Sequence, residues 1–255
     1  MIEMKSTFRY LALLLSMLAV AGMQARTNFS NETLRYVITY KWGLIHKDAG
    51  EAVMTLKNVG NDYNITLTGK TKPWADSFYQ VRDTLVSVID KASFRPKTYM
   101  KMAHEGGDFA KDVIKYSYSG ANVTGNVSKY REKKKSKKSS SLELNATGPT
   151  FDMLSVFYYL RTIDPSKLES GQKITSTLFS GSHAETVTIW KVKEGEVKMR
   201  DGSVRQAWLL KFKFTTKGGK KSSSDIDAWI SKDDRRIPLY LKGSLPIGNV
   251  NAYLL

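Results

Sequence analysis

Leu34-Arg35-Tyr36-Val37-Ile38-Thr39-Tyr40-Lys41-Trp42 decides the fold class. Leu34, Tyr36, Ile38, Tyr40 and Trp42 form one alternating set, set against Arg35, Thr39 and Lys41. A period of two is the signature of a strand with one apolar face, because successive side chains point to opposite sides of the backbone. Gly43-Leu44-Ile45 begins a turn, a second strand is expected over 49–57, and Asn58-Val59-Gly60-Asn61-Asp62 turns again into Tyr63, Ile65 and Leu67. That is a β-meander. Further strands are expected over 84–89, 97–103, 113–118, 174–179, 185–192, 207–216, 224–231, 238–242 and 250–254, separated by turn residues at the short intervals an antiparallel sheet needs.

Only one later segment reads as a helix. Over 150–163, Phe151, Leu154, Phe157, Tyr158 and Arg161 follow the i, i+3, i+4 spacing, with Thr150 or Asp152 to cap its start. Asp164-Pro165-Ser166 stops it, since proline lacks the amide hydrogen and biases the residue before it away from helical dihedrals. Residues 72–81 give no clean period and are read as a short helix or an irregular crossing. The expected fold is therefore all-β, a large curved antiparallel sheet or open β-barrel with one main helix at about 150–163.

The later strands have some positions on both faces that read as buried. Trp208, Leu210, Phe212 and Phe214 alternate on one strand, while Ile226, Ala228 and Ile230 face one way and Trp229 the other. A sheet that curls around its own core and packs a helix against one side or end meets that condition. Barrels of this size can hold an apolar ligand, and the aromatic candidates to line such a cavity are Trp42, Trp74, Phe78, Tyr79, Tyr159 and Trp229.

Residues 10–23, YLALLLSMLAVAGM, follow Lys5 and Arg9 and end in small residues. A basic start, a short apolar middle and small residues for the peptidase make a secretory signal peptide, assigned to residues 1–25 and leaving one β-rich domain over 26–255. The stretch is short of the ~20 residues a membrane-spanning helix needs. No other segment would span a membrane as a helix once the leader is removed. The chain contains no cysteine, which excludes disulfides, thiol nucleophiles, thiolate metal sites and the acylated cysteine of a lipoprotein. A soluble, unlipidated periplasmic protein is expected.

The formal net charge is +16, from 40 Lys and Arg against 24 Asp and Glu. An excess of that size sets up a long-range positive field. Outside the cytoplasm the anions within its reach are lipid head groups, acidic polysaccharides and extracellular nucleic acid; an anionic envelope partner is expected, and no specific nucleic acid. Lys129 to Ser141, KYREKKKSKKSSS, has no apolar face and is read as a mobile loop or an extended hairpin tip. Lys133, Lys134, Lys135, Lys137 and Lys138 are its candidate anion contacts, and residues 217–224, KGGKKSSS, are a smaller version.

Catalytic signatures are missing from the sequence. His46, His104 and His183 have no metal-ligand spacing, and no nucleophile elbow, zinc-peptidase, phosphate-loop or dinucleotide motif occurs. No catalytic residue, metal or cofactor is therefore assigned. Asp225 and Asp227, two apart on a strand and so on one face, are the remaining acid pair, with Asp233-Asp234 read as turn chemistry.

Four segments carry a family resemblance: Tyr36-Val37-Ile38-Thr39-Tyr40-Lys41-Trp42-Gly43 with Ala49-Gly50; Tyr79-Gln80-Val81-Arg82-Asp83 with Pro96; Asp152 to Arg161, DMLSVFYYLR; and Trp229 to Leu239, WISKDDRRIPL. In order and spacing the chain resembles the exported bacterial family named domain of unknown function 3108. The resemblance implies an exported, mostly β protein and brings no activity or catalytic residues with it. Within it, Asp152 stands at the start of the helix and Arg161 near its finish, each favoured there by the helix dipole. The functional expectation is a non-catalytic binding module for an amphiphilic or anionic cell-envelope molecule, a lipid or glycan among them. An envelope assembly or scaffold protein and a carboxylate-dependent hydrolase are the alternatives.

Overall fold

A computed structural model describes residues 28–169, 171–216, 225–244 and 249–255. The leader read over 1–25 and the basic stretch 217–224 lie outside the described residues.

The first half of the fold is a meander of β1 (Glu32–Trp42), β2 (Ile45–Val59), β3 (Asp62–Thr71), a single turn of helix α1 (Pro73–Asp76), β4 (Val81–Asp90), β5 (Pro96–Glu105), β6 (Asp108–Ser119), β7 (Asn122–Lys133) and β8 (Ser136–Thr147). Then come β9 (Thr150–Phe151), α2 (Ser155–Thr162), a short 3-10 turn over Pro165–Lys167, β10 (Lys173–Phe179), β11 (Ala184–Lys198), β12 (Val204–Thr215), β13 (Ile226–Ser231), β14 (Pro238–Ser244) and β15 (Asn249–Leu254). All join one 15-stranded sheet in the order β8-β7-β6-β5-β4-β3-β2-β1-β15-β14-β13-β12-β11-β10-β9. Every pairing is antiparallel except that of β9 with β10. The sheet curls into a nearly closed barrel, as the alternation of Leu34 to Trp42 and the two-faced later strands lead one to expect.

Cross-strand register shows how the interior is filled. Glu32, Leu56, Ile65, Ser87, Tyr99, Ile114, Val127 and Leu142 stand opposite one another in turn from β1 to β8, forming one rung of a single face. Six of the eight are apolar or aromatic. Where β8 comes round toward β10, Phe179 at the end of β10 stacks on Tyr116 at 5.7 Å. Phe179 also lies so close to Gly125 of β7 that a Cβ there would meet its ring at 2.6 Å, so only glycine lets the two ends of the sheet approach.

The two polar members of that rung hold α2. Asp152, just before the helix, accepts from the Leu154 and Ser155 amides at 2.9 and 2.8 Å and from Ser87 Oγ at 2.8 Å. At the other end Arg161, 1% exposed, donates to both carboxylate oxygens of Glu32 and to the Arg235 carbonyl, and it lies over the rings of Phe29 and Tyr158. Nine residues of helical rise cover about 14 Å, and three strand spacings from β1 to β4 also cover about 14 Å. Helix and rung are thus matched in length.

The helix itself is shorter than its periodicity. Residues 150–151 form β9 in place of a first helical turn, because the Thr177 amide donates to the Pro149 carbonyl and draws the chain alongside β10. Phe151 fits the helical spacing yet stacks from the strand onto Tyr159 at 4.4 Å. Lys129 to Ser141 takes the second of its two expected forms, the tip of the β7–β8 hairpin, with Lys133 paired to Ser136 across a two-residue turn.

Breaking the helix anchor has a calculable cost. Arg161→Met leaves Glu32 buried without its partner and is expected to lower unfolding free energy by about 3–5 kcal/mol, whereas adding Glu32→Leu removes the orphaned charge and restores most of the loss. Chemical denaturation of the three proteins checks this. A double variant no more stable than Arg161→Met would show that the pair is not coupled.

Candidate functional site

Two rungs nearer the ends of β1 and β3, the same face changes character. The residues in register are Tyr36, Ala52, Gly69, Asp83, Ala103, Ala110, Arg131 and Lys138. Leucine, isoleucine and tyrosine have given way to glycine, alanine and charge. Antiparallel strands keep a face constant at every second residue, so the small side chains leave open the volume that large ones fill deeper in the barrel.

Two clefts result. The first, about 590 Å³, has walls of Ile38, Tyr40, Gly50, Ala52, Gly69, Val81 and Val250 and a cover of Trp74, Ala75, Phe78 and Tyr79. Among the described residues its only charged lining is Glu51 and Lys70, which pair with each other at 2.6 Å. The cover is fixed by α1, where Pro73 opens the turn, Trp74 Nε1 donates to the Asp48 carbonyl at 2.8 Å, and Arg82 clamps Asp76 at 2.7 Å. The second cleft, about 310 Å³, is polar and is lined by Lys101, Glu105, Asp108, Asp112, Arg131 and Lys133 among others.

Tyr79 lines both. Its ring rests on Gly106, where a Cβ would stand 2.8 Å from it and where φ is +58°, so both space and backbone require glycine. Its hydroxyl donates to Glu105 at 3.2 Å.

The polar cleft is balanced rather than basic. Arg131 holds Asp112 by two bonds of 2.6 and 2.9 Å, Lys101 stands 3.5 Å from Glu105, and Lys133 stands 3.4 Å from Asp108. Between the two clefts lies Asp83, with one carboxylate oxygen buried and without a hydrogen-bond partner. Burial first, and then the neighbouring Glu105 charge, push its carboxyl up to about 6.

The structure brings together three of the six aromatic residues read as ligand-facing: Trp74, Phe78 and Tyr79. Tyr159 lies elsewhere, lining a separate cleft of about 250 Å³ beside Phe94 and Tyr118. Trp229 packs over Gly195 on β11, and the side chain of Trp42 lies outside the described residues. Of the hairpin lysines, Lys133 faces the polar cleft and Lys137 pairs with Glu132 at 3.1 Å, while Lys134, Lys135 and Lys138 are exposed.

Asp227 is paired with Lys211 at 3.4 Å, and Asp225 stands just before β13. Asp233 accepts from Ser231 Oγ and the Arg236 amide, which is turn chemistry as read. Among the described residues no group of three or more His, Asp or Glu could hold a metal ion.

Sequence reading missed Gly50, Ala52, Gly69 and the acids around Asp83. Their signal was a small residue at an inward position of an otherwise apolar alternation, as at Ala52 between Met54 and Gly50.

The raised Asp83 carboxyl has a sign that can be checked. Its folded form holds the proton more tightly than the unfolded chain, so its contribution to stability is complete below about pH 4 and is lost as pH rises through about 6. Asp83→Asn is therefore expected to gain stability over the parent at pH 8 and to gain little at pH 4, read from denaturation midpoints. An equal difference at both pH values would contradict the assignment.

No curated protein matches the chain. Among solved structures it is similar to the crystal structure of a beta-barrel-like protein of domain of unknown function DUF1849 from Brucella abortus. The TM-score is 0.58 at 12% identity, covering 89% of this chain and 96% of that one, which is a likeness of fold alone. The sequence pattern of the family described as protein of unknown function (DUF3108) matches residues 35–255, and the chain belongs to that family.

Proposed function

We propose that the protein is an exported, periplasmic, non-catalytic binding module that holds the apolar part of an amphiphilic cell-envelope molecule in the cleft beneath Trp74, Phe78 and Tyr79. One observation carries this reading. A face packed with leucine, isoleucine and tyrosine deeper in the barrel is emptied at its end by Gly50, Ala52 and Gly69, and the space is roofed by aromatic rings. Protein interiors are close-packed, so a large apolar volume left unfilled is a volume for a guest. At about 590 Å³ it falls within the ~300–1,000 Å³ of small-molecule sites.

The wall offers apolar atoms almost throughout, which suits an acyl or other hydrocarbon chain. The adjoining polar cleft offers both donors and acceptors for a head group. Export follows from the basic, apolar and small-residue succession of residues 1–25 and fits a chain without cysteine.

Gly69 supplies the test. A Cβ built there meets nothing within 4 Å, and its φ lies outside the positive region, so Gly69→Phe puts a ring into the cleft without backbone strain. The parent is expected to bind a fluorescent long-chain fatty acid in vesicle-free buffer, and Gly69→Phe is expected to bind it at least about tenfold more weakly with its thermal midpoint kept or raised. Equal affinity in the two proteins, or no binding by the parent, would end the proposal.

A further inference from the structure

The meander gathers four connections at one end of the barrel: the β1–β2 turn at Gly43-Leu44, the α1 segment, the β5–β6 turn at Gly106-Gly107 and the β7–β8 turn at Lys134-Lys135. Both clefts lie toward this end. Its outermost side chains are of two kinds. Leu44, at 104% relative exposure, and Phe78, at 82%, are the two most exposed large apolar residues described. At the same end stand Lys41, Lys47, Lys134, Lys135 and Lys138, all exposed and none in an ion pair among the described residues. Lys47 lies over the Trp74 ring at 4.5 Å.

At the opposite end Lys97 pairs with Asp62 at 2.6 Å, Lys91 donates to the Gly60 carbonyl, and Arg95 stacks on Tyr118. Five lysines without an ion pair among the described residues thus share the end where Leu44 and Phe78 protrude.

We infer that this rim is a membrane-docking surface, with Leu44 and Phe78 entering the interfacial layer of a bilayer and the surrounding lysines meeting the phosphates of anionic lipids. Apolar and aromatic tips flanked by lysine are the composition of the lipid–water interface, where rings and chains enter and ammonium groups stay at head-group level. Clustered lysines near an anionic leaflet add attraction in proportion to their number. A second copy of this chain is disfavoured, because two lysine rims repel. Leu44 and Phe78 stand on separate connections, the β1–β2 turn and the segment after α1. The inference goes beyond the binding reading but joins it: a cleft for a hydrocarbon chain lies next to the rim that would touch the source of such chains.

Co-sedimentation with vesicles tests it, with every variant in the same background as the parent. The parent is expected to bind vesicles rich in phosphatidylglycerol and to bind pure phosphatidylcholine vesicles about tenfold more weakly or not at all. Binding is expected to fall steeply at about 0.5 M salt, where charges are screened over a few ångströms. Leu44→Asp should weaken binding about fivefold through lost insertion, and Lys134→Glu with Lys135→Glu should weaken it by at least as much through lost charge.

Equal binding to both vesicle types, no binding to either, or indifference to both variants would overturn the inference. So would capture by soluble polyglutamate as strong as by vesicles, which would mark an acidic protein partner instead. Leu44 does not line the cleft, so Leu44→Asp should keep the affinity for free fatty acid. Loss of vesicle binding with fatty-acid binding intact, and the reverse, therefore separate this inference from the binding proposal.

Discussion

The buried contact between Arg161 and Glu32 constrains everything built around it. A guanidinium withdrawn from water inside an apolar barrel is tolerable only if its charge and its donors are met. Here Glu32 meets the charge, the Arg235 carbonyl takes a further donor, and the rings of Phe29 and Tyr158 cover its faces. Glu32 and Ser87 share one rung of the sheet, so the contact at one end of α2 and the Asp152 cluster at the other fix the helix across β1 to β4. Once the helix is fixed, Leu154 and Tyr158 join the core of the meander, while Val156, Tyr159, Leu160 and Ile163 join the second apolar cluster over β10 to β13.

That arrangement divides the barrel by side-chain size. Along a single face, the rung that meets the helix is filled, and the rung two steps away carries Ala52, Gly69, Ala103 and Ala110. The clefts are therefore a property of residue volume at constant backbone geometry. Their chemistry divides at Tyr79 in the same way: on one side a hydrocarbon wall, on the other a set of ion pairs that cancel. A chain of net charge +16 thus places a near-neutral polar cleft beside an apolar one, with exposed lysines on the rim.

Most strands were legible because they have one wet face and one dry face. β3 shows it plainly, whereas β12 is buried on both faces from Ala207 to Leu210. β8 does not, since Ser136 to Ser141 is exposed throughout and its ladder to β7 leaves no hydrophobic trace. The helix was legible in its core and blurred at its start, where Phe151 matches a helical period by coincidence while lying on a strand. Of the aromatic candidates, Trp74, Phe78 and Tyr79 converge because α1 gathers them within six residues. Tyr159 and Trp229 look the same in sequence but lie apart from them, Tyr159 at a separate cleft and Trp229 over Gly195.

By itself the sequence determined the strand-dominated class, the single main helix, the charge excess and the family resemblance, because alternation, proline stops and composition are local properties. Only the tertiary structure decided that Arg161 is buried against Glu32, that glycine and alanine from several strands fall on one rung, and that the exposed tips share one end. Those facts depend on register and on the closing of the sheet, which bring together residues far apart in the chain and leave no mark at any one of them.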